Sequence, residues 1–277
     1  MKIAVLSGKG GAGKTFVSVN LASAAGHATY IDCDVEEPNG RLFLKPENPE
    51  REPVYTMLPA FNETKCIGCR KCVDFCRFNA LVFIKDKPMV FPEVCHACGG
   101  CALVCPSRAV AETERSVGII ETGKYQNTQV VTGVLNLGEA SAIPVIKAAL
   151  QMAKPKALTI IDCPPGSSCA VMESVADADF CILVAEPTSF GLHNLEMVYE
   201  LVRLFQKPLG IVINKTDGDY APLDLFCTQN QIPILCRIPY SEKLAALCAA
   251  AQVASLQDIE TNKLFTRLLK QVQEVRI

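Results

Sequence analysis

Gly8-Lys9-Gly10-Gly11-Ala12-Gly13-Lys14-Thr15 is the stretch from which the fold can be read. It fits the spacing Gly-x-x-x-x-Gly-Lys-[Ser/Thr], and it lies between a strand-like apolar run at 2–6 and a helix-like pattern at 14–25. Glycines let the backbone bend so that several N–H groups face one anion. The helix that follows turns its positive end toward the same point. In that setting Lys14 is placed to reach the β- and γ-phosphates of a nucleotide, and the Thr15 hydroxyl to bind Mg²⁺.

Outward from this loop, short apolar runs alternate with helical patterns. Strands are expected at 28–31, 157–161, 180–185, 209–213 and 232–236, and helices at 141–153, 191–205 and 264–275. Such alternation predicts an α/β fold, a mostly parallel sheet flanked by helices. Leu264, Phe265, Leu268, Leu269 and Val272 form an apolar stripe on the last helix. Packing against the core is the favoured reading of that stripe over membrane binding.

Between residues 46 and 62 the rhythm breaks into a Pro-, Glu- and Asn-rich stretch that reads as a linker. A cysteine-rich segment follows, and 116–121 and 128–135 look like extended returns to the main body. The expected organisation is therefore a nucleotide-binding domain formed by 1–60 and 113–277, interrupted by a small α+β domain at 61–112.

The small domain is a repeat. Cys66-Ile-Gly-Cys69-Arg-Lys-Cys72-Val-Asp-Phe-Cys76 recurs 29 residues later as Cys95-His-Ala-Cys98-Gly-Gly-Cys101-Ala-Leu-Val-Cys105, followed by Pro106. This is the bacterial two-cluster ferredoxin spacing, in which three thiolates hold one [4Fe–4S] cluster and the fourth comes from the other half. Cys66, Cys69, Cys72 and Cys105 are thus expected on one cluster, and Cys95, Cys98, Cys101 and Cys76 on the other. Zinc also takes four thiolates; two close groups of four with the final proline favour iron–sulfur. Arg77 stands where a second proline could be, without removing a ligand.

Composition narrows the classes further. The chain has 277 residues, 49% apolar and 20% charged, and a net charge of −2. A packed core follows, and neither a nucleic-acid-binding composition nor a membrane span is expected. Met1-Lys2 runs directly into a strand, so no signal peptide is expected and the cytoplasm is the expected location. Of 15 cysteines, the seven outside the repeat are expected to be mostly small buried residues.

The chain as a whole resembles the MinD/ParA-superfamily ATPases with an inserted ferredoxin domain. The resemblance rests on the loop with its early Lys9, Ile31-Asp32-Cys33-Asp34, the eight cysteines, Asp162-Cys-Pro-Pro-Gly166, Glu186-Pro-Thr188 with Gly191-Leu-His193, and Asn214-Lys215-Thr216-Asp217. It implies a nucleotide-sandwich dimer, with itself or a related ATPase, in which Lys9 acts across the seam. It implies that Asp34 positions the attacking water, that Asp32 and Asp162 serve the magnesium site, and that Gly166 reports the γ-phosphate. Asn214, Asp217 and Pro239 are placed on the base side. The resemblance favours ATP, while Asn-Lys-Thr-Asp also resembles a guanine-reading motif. Cys169, at a cluster-ligand position of the nitrogenase iron protein, lacks a second partner and is expected to be buried.

The expected function is nucleotide-driven dimer switching coupled to electron transfer toward a redox partner protein. Cluster delivery and redox-sensing regulation are the alternatives.

Overall fold

The computed structural model describes residues 1–154 and 157–274. The first part contains β1 (Lys2–Leu6), α1 (Lys14–Ala24), β2 (Thr29–Asp32), α2 (Gly40–Leu44) and the long β3 (Glu47–Phe61). The cysteine-rich segment contributes α3 (Lys71–Phe75), β4 (Leu81–Ile84), β5 (Lys87–Val90), a 3₁₀ turn (Pro92–Val94) and α4 (Gly100–Leu103). The chain returns through β6 (Val110–Tyr125) and β7 (Thr128–Leu135) to α5 (Ile143–Gln151), β8 (Thr159–Asp162), α6 (Cys169–Val175), β9 (Phe180–Ala185) and α7 (Ser189–Leu204). It ends with β10 (Leu209–Thr216), α8 (Ala221–Gln229), β11 (Ile234–Pro239), α9 (Glu242–Ala249), α10 (Ala254–Gln257) and α11 (Ile259–Glu274).

One nine-stranded sheet, ordered β11-β10-β9-β1-β8-β2-β7-β6-β3, organises the chain. From β11 to β7 neighbouring strands are parallel, and β6 and β3 are antiparallel additions at one edge. Side chains alternate across a strand, so Ala4 and Leu6 enter one core with α5, α6, α7 and α8, while Ile3 and Val5 enter the other with α1, α10 and α11. Burial on both faces explains why these strands are continuous apolar runs. The C-terminal stripe does pack inward: Phe265, Leu268, Leu269 and Val272 are buried. Position 275, the expected end of that helix, lies outside the described residues. No helix among the described residues is long and apolar enough to cross a membrane.

The stretch read as a linker is instead β3, a 15-residue strand paired with β6 from Glu47↔Lys124 to Phe61↔Val110. The prolines that disguised it, Pro49, Pro53 and Pro59, are tolerated because β3 is the sheet's edge, where one side of the strand needs no ladder partner. At the far end of this two-stranded arm, β4 and β5 form a separate sheet among the cysteines. Few of the arm's tip residues are buried: Ala80, Leu81, Pro88 and Ala109 are its apolar core.

Candidate functional site

At the carboxyl end of the parallel strands, the loop after β1 and the ends of β2 and β8 meet. Gly13 has φ +100°, a left-handed conformation, and a β-carbon there would fall 2.0 Å from the Asn214 amide nitrogen. Gly8 is required by contact instead: its β-carbon would fall 2.0 Å from the Asn194 carbonyl oxygen. The loop is held from beneath, because Asn214 Nδ2 donates to the Ala12 carbonyl (2.9 Å) and Lys215 Nζ to the Gly11 carbonyl (2.8 Å).

Register sets the charges. Asp32 and Asp162 are direct partners on adjacent strands, and both are fully buried. Lys14 Nζ donates to Asp162 (2.7 Å) and Asp34 (3.4 Å), and Tyr30 Oη donates to the other Asp162 oxygen (2.8 Å). Asp32 accepts from the N–H groups of Asp34 (3.1 Å) and Gly40 (2.9 Å), so it shapes the turn that presents Asp34. Burial opposes the Lys14 charge, yet the carboxylates of Asp162, Asp34 and Asp32 hold its pKa above the ordinary lysine value. Burial, and then the charge of Asp162, raise Asp32 above the carboxylate range. Burial also raises Asp34 against the opposing pull of Lys14.

A cleft of about 830 Å³ opens above this network, lined by Lys9, Gly10, Gly11, Gly13, Lys14, Thr15 and Asp34 among others. Its opposite wall is the loop after β7, with Asn136, Leu137 and Glu139. The oxygen donors here, Thr15 with the carboxylates, suit a hard cation such as Mg²⁺. Lys9 does not join Lys14; it pairs with Glu186 of its own chain and lies 5.3 Å from the Phe190 ring. Glu186 also accepts from Lys215 (2.6 Å). Burial works to raise the Glu186 pKa, but bonds from Lys215 and Lys9 hold it below the ordinary value. The Gly166 N–H donates to the Ser7 carbonyl (2.9 Å). Asp217 is exposed, and Pro239 lines a separate groove with Leu264 and Phe265.

One site residue escapes the motifs, and a second stands in a motif without its role being readable. Tyr30 was findable, since it shares the face of Asp32 two positions earlier on the strand. Glu186, in the Glu186-Pro-Thr188 stretch, directly follows β9, but nothing local marks it as the partner of Lys9.

The cysteines fall into two pockets. Cys66, Cys69, Cys72 and Cys105 line one, with Phe83 and Arg70. Cys76, Cys95, Cys98 and Cys101 line the other, with Phe78 and His96, whose rings stack 3.9 Å apart. The halves match in backbone: Gly68 and Ala97, and Arg70 and Gly99, all have positive φ at equivalent positions. Burial acts to raise the Cys105 thiol, but N–H groups, that of Ala109 first (3.2 Å to Sγ), hold it below the ordinary thiol value. Four thiols line each pocket, the donor number that one [4Fe–4S] cluster takes and that zinc also accepts. Outside the module, Cys33, Cys163, Cys181 and Cys227 are buried, whereas Cys169 is exposed at the start of α6, contrary to the expectation. It begins a helix whose buried residues are Val171, Ser174 and Val175, so its own position faces outward.

Residues 3–252 match the family described as the CobQ/CobB/MinD/ParA nucleotide binding domain. An uncharacterised protein of Methanocaldococcus jannaschii is 34% identical over 221 residues, 78% of each chain. The septum site-determining protein MinD of Pyrococcus horikoshii, solved with Mg-ADP, shares the fold with a TM-score of 0.61 and 18% identity, covering 99% of this chain and 96% of that one. A stretch of 50 residues, 17% of this chain, is 40% identical to an uncharacterised ferredoxin of M. jannaschii, of which it covers 65%.

Proposed function

This chain belongs to the CobQ/CobB/MinD/ParA nucleotide-binding family, and we propose that it hydrolyses ATP and couples that cycle to electron transfer through two [4Fe–4S] clusters held by an inserted domain at 61–112. The observation that carries the reading is the sorting of eight cysteines into two four-thiol pockets on an arm that grows from the sheet edge beside the nucleotide cleft.

In this reading the N–H groups of residues 8–15 cradle the phosphates. Lys14 exchanges its carboxylate partners for phosphate oxygens. Thr15 and Asp162 hold Mg²⁺, which offsets phosphate charge, and Asp32 fixes the Asp34 turn. Asp34 orients the attacking water. Asn214 fixes the loop from below; the base side is assigned to it with Asp217 and Pro239. Lys9 acts on a partner's nucleotide in a dimer after leaving Glu186. Bound clusters supply one-electron redox chemistry; the thiolates of each foursome hold them, and the Ala109 N–H donates to the Cys105 sulfur.

An EPR-monitored redox titration of the anaerobic protein, with and without MgATP, tests the coupling. The expected result is a shift of more than ~60 mV, tenfold for a one-electron couple. Two intact cluster signals unmoved by MgATP would overturn it, and loss of signal on adding MgATP would favour cluster delivery instead.

A further inference from the structure

The arm joins the nucleotide cleft to the cysteine module along a short run of polar contacts, and its side-chain branch ends at the second of the two pockets. It starts beside Asp34, where the Val35 carbonyl accepts from the Leu135 N–H at the end of β7 (2.9 Å). The loop that follows forms the cleft's far wall and is tied to β6: the Asn136 N–H donates to the Val117 carbonyl (2.9 Å), and Asn136 Nδ2 to the Ser116 carbonyl (3.2 Å). Glu139 of the same wall pairs with Arg115 on β6 in a two-pronged bridge, with four N···O distances from 2.7 to 3.0 Å. Both side chains are mostly shielded, with 20% and 12% exposure. This is the fork-on-carboxylate geometry that fixes direction as well as charge.

Arg115 has a third bond. Its Nη2 donates to the carbonyl of Pro92 (3.3 Å), the residue that opens the 3₁₀ turn before Cys95. The same carbonyl accepts from the Cys95 N–H (3.2 Å). One oxygen thus holds both the arm's guanidinium and the backbone of a cysteine in the second pocket. The first pocket has no such side-chain tie among the described residues: the Cys66 N–H donates to the Asn62 carbonyl, and the pocket meets the start of β6 through a backbone group, the Ala109 N–H, which donates to Cys105 Sγ.

We propose that Arg115 is a positioning residue that transmits movement of the cleft wall to the second pocket alone, through Glu139 on one side and the Pro92 carbonyl on the other. The inference rests on the nucleotide-coupling reading above. A wall displaced by nucleotide carries Glu139, the rigid fork carries Arg115, and the Pro92–Cys95 turn follows. Coupling through this joint is read by comparing variants of its members.

The full anaerobic protein with its clusters is followed by hydrogen exchange and by EPR titration, with and without a non-hydrolysable ATP analogue and Mg²⁺. In the unaltered chain the analogue is expected to change exchange around residues 92–97 by about threefold or more and leave residues 63–68 unaffected. Arg115→Gln should abolish that response while nucleotide affinity changes by less than about twofold. Arg115→Lys keeps the charge without the fork and should restore less than half of it. Arg115→Gln with Glu139→Gln should lose no more response than either alone, as members of one interaction do.

A response that survives Arg115→Gln, or one equal in both pockets, overturns the joint. So does an absence of exchange response in the unaltered chain, even if the potentials move with nucleotide; electron coupling would then survive without this joint. An Arg115-dependent exchange response with immobile potentials supports the joint and overturns the electron-coupling reading.

Discussion

The nucleotide cleft and the cysteine module are held together by different forces. Around the cleft, two layers of buried aliphatic side chains sandwich the sheet, and even the charged groups Lys14, Asp32 and Asp162 are enclosed. The module has four buried apolar residues and exposes Ile67, Phe75, Ile84, Met89 and Leu103. A segment of fewer than about 50 residues with so little core cannot be stable by burial alone and needs a metal or a disulfide. The cleft can therefore be pre-shaped by the sheet, whereas the module depends on what its thiols bind.

The largest expected effect follows from that contrast. On the two-cluster proposal, stripping the clusters with a chelator under oxidising conditions should unfold residues 62–109 and leave the main sheet intact. Limited proteolysis should then cut within the module while nucleotide still protects the cleft. A module that stays protease-resistant when stripped would break the comparison.

Lys14→Ala attacks the other region. Removing one partner of a buried charge network costs about 3–5 kcal/mol, readable as a lower denaturation midpoint, and should abolish hydrolysis. The loss should shrink as pH falls. Burial and Asp162 raise Asp32 while Lys14 holds it down, so without Lys14 the folded variant binds that proton tighter still, and more tightly than the unfolded chain does. Stability of the variant then rises from neutral pH toward the ordinary carboxylate value of about 4.

Tyr30→Phe sharpens the picture within the cleft. It deletes the hydroxyl bond to Asp162 (2.8 Å) and should cost about 1.5–3 kcal/mol, as for bonds to charged groups, with the cluster EPR signals unchanged. Asn214→Ala frees the Ala12 carbonyl beneath the phosphate loop. It should cost about 1 kcal/mol in stability and weaken nucleotide binding in a calorimetric titration; unchanged affinity would show that the loop holds its shape without this support.

Reading the sequence locates both regions but not how they meet. The phosphate loop, the strand-end aspartates and the eight cysteines are local signals, because backbone bending and ligand spacing depend on residues close together in the chain. The strand at 47–61 was hidden, since proline and glutamate look the same in an edge strand as in a linker until the sheet order is known. The partners of Lys9 and of Asp162, and the Arg115 bridge, bring together residues distant in sequence.

Periodicity and short-range spacing are enough for the α/β class with its mostly parallel sheet, the placement of a phosphate loop after the first strand, and a twofold cysteine repeat within one segment. The folded chain alone brings Asp32 beside Asp162, rests Lys9 on Glu186, and carries the module on an arm tied to the cleft wall through Arg115. Strand order and register set those meetings, and they are settled by how a whole sheet buries its two faces rather than by any stretch of the chain.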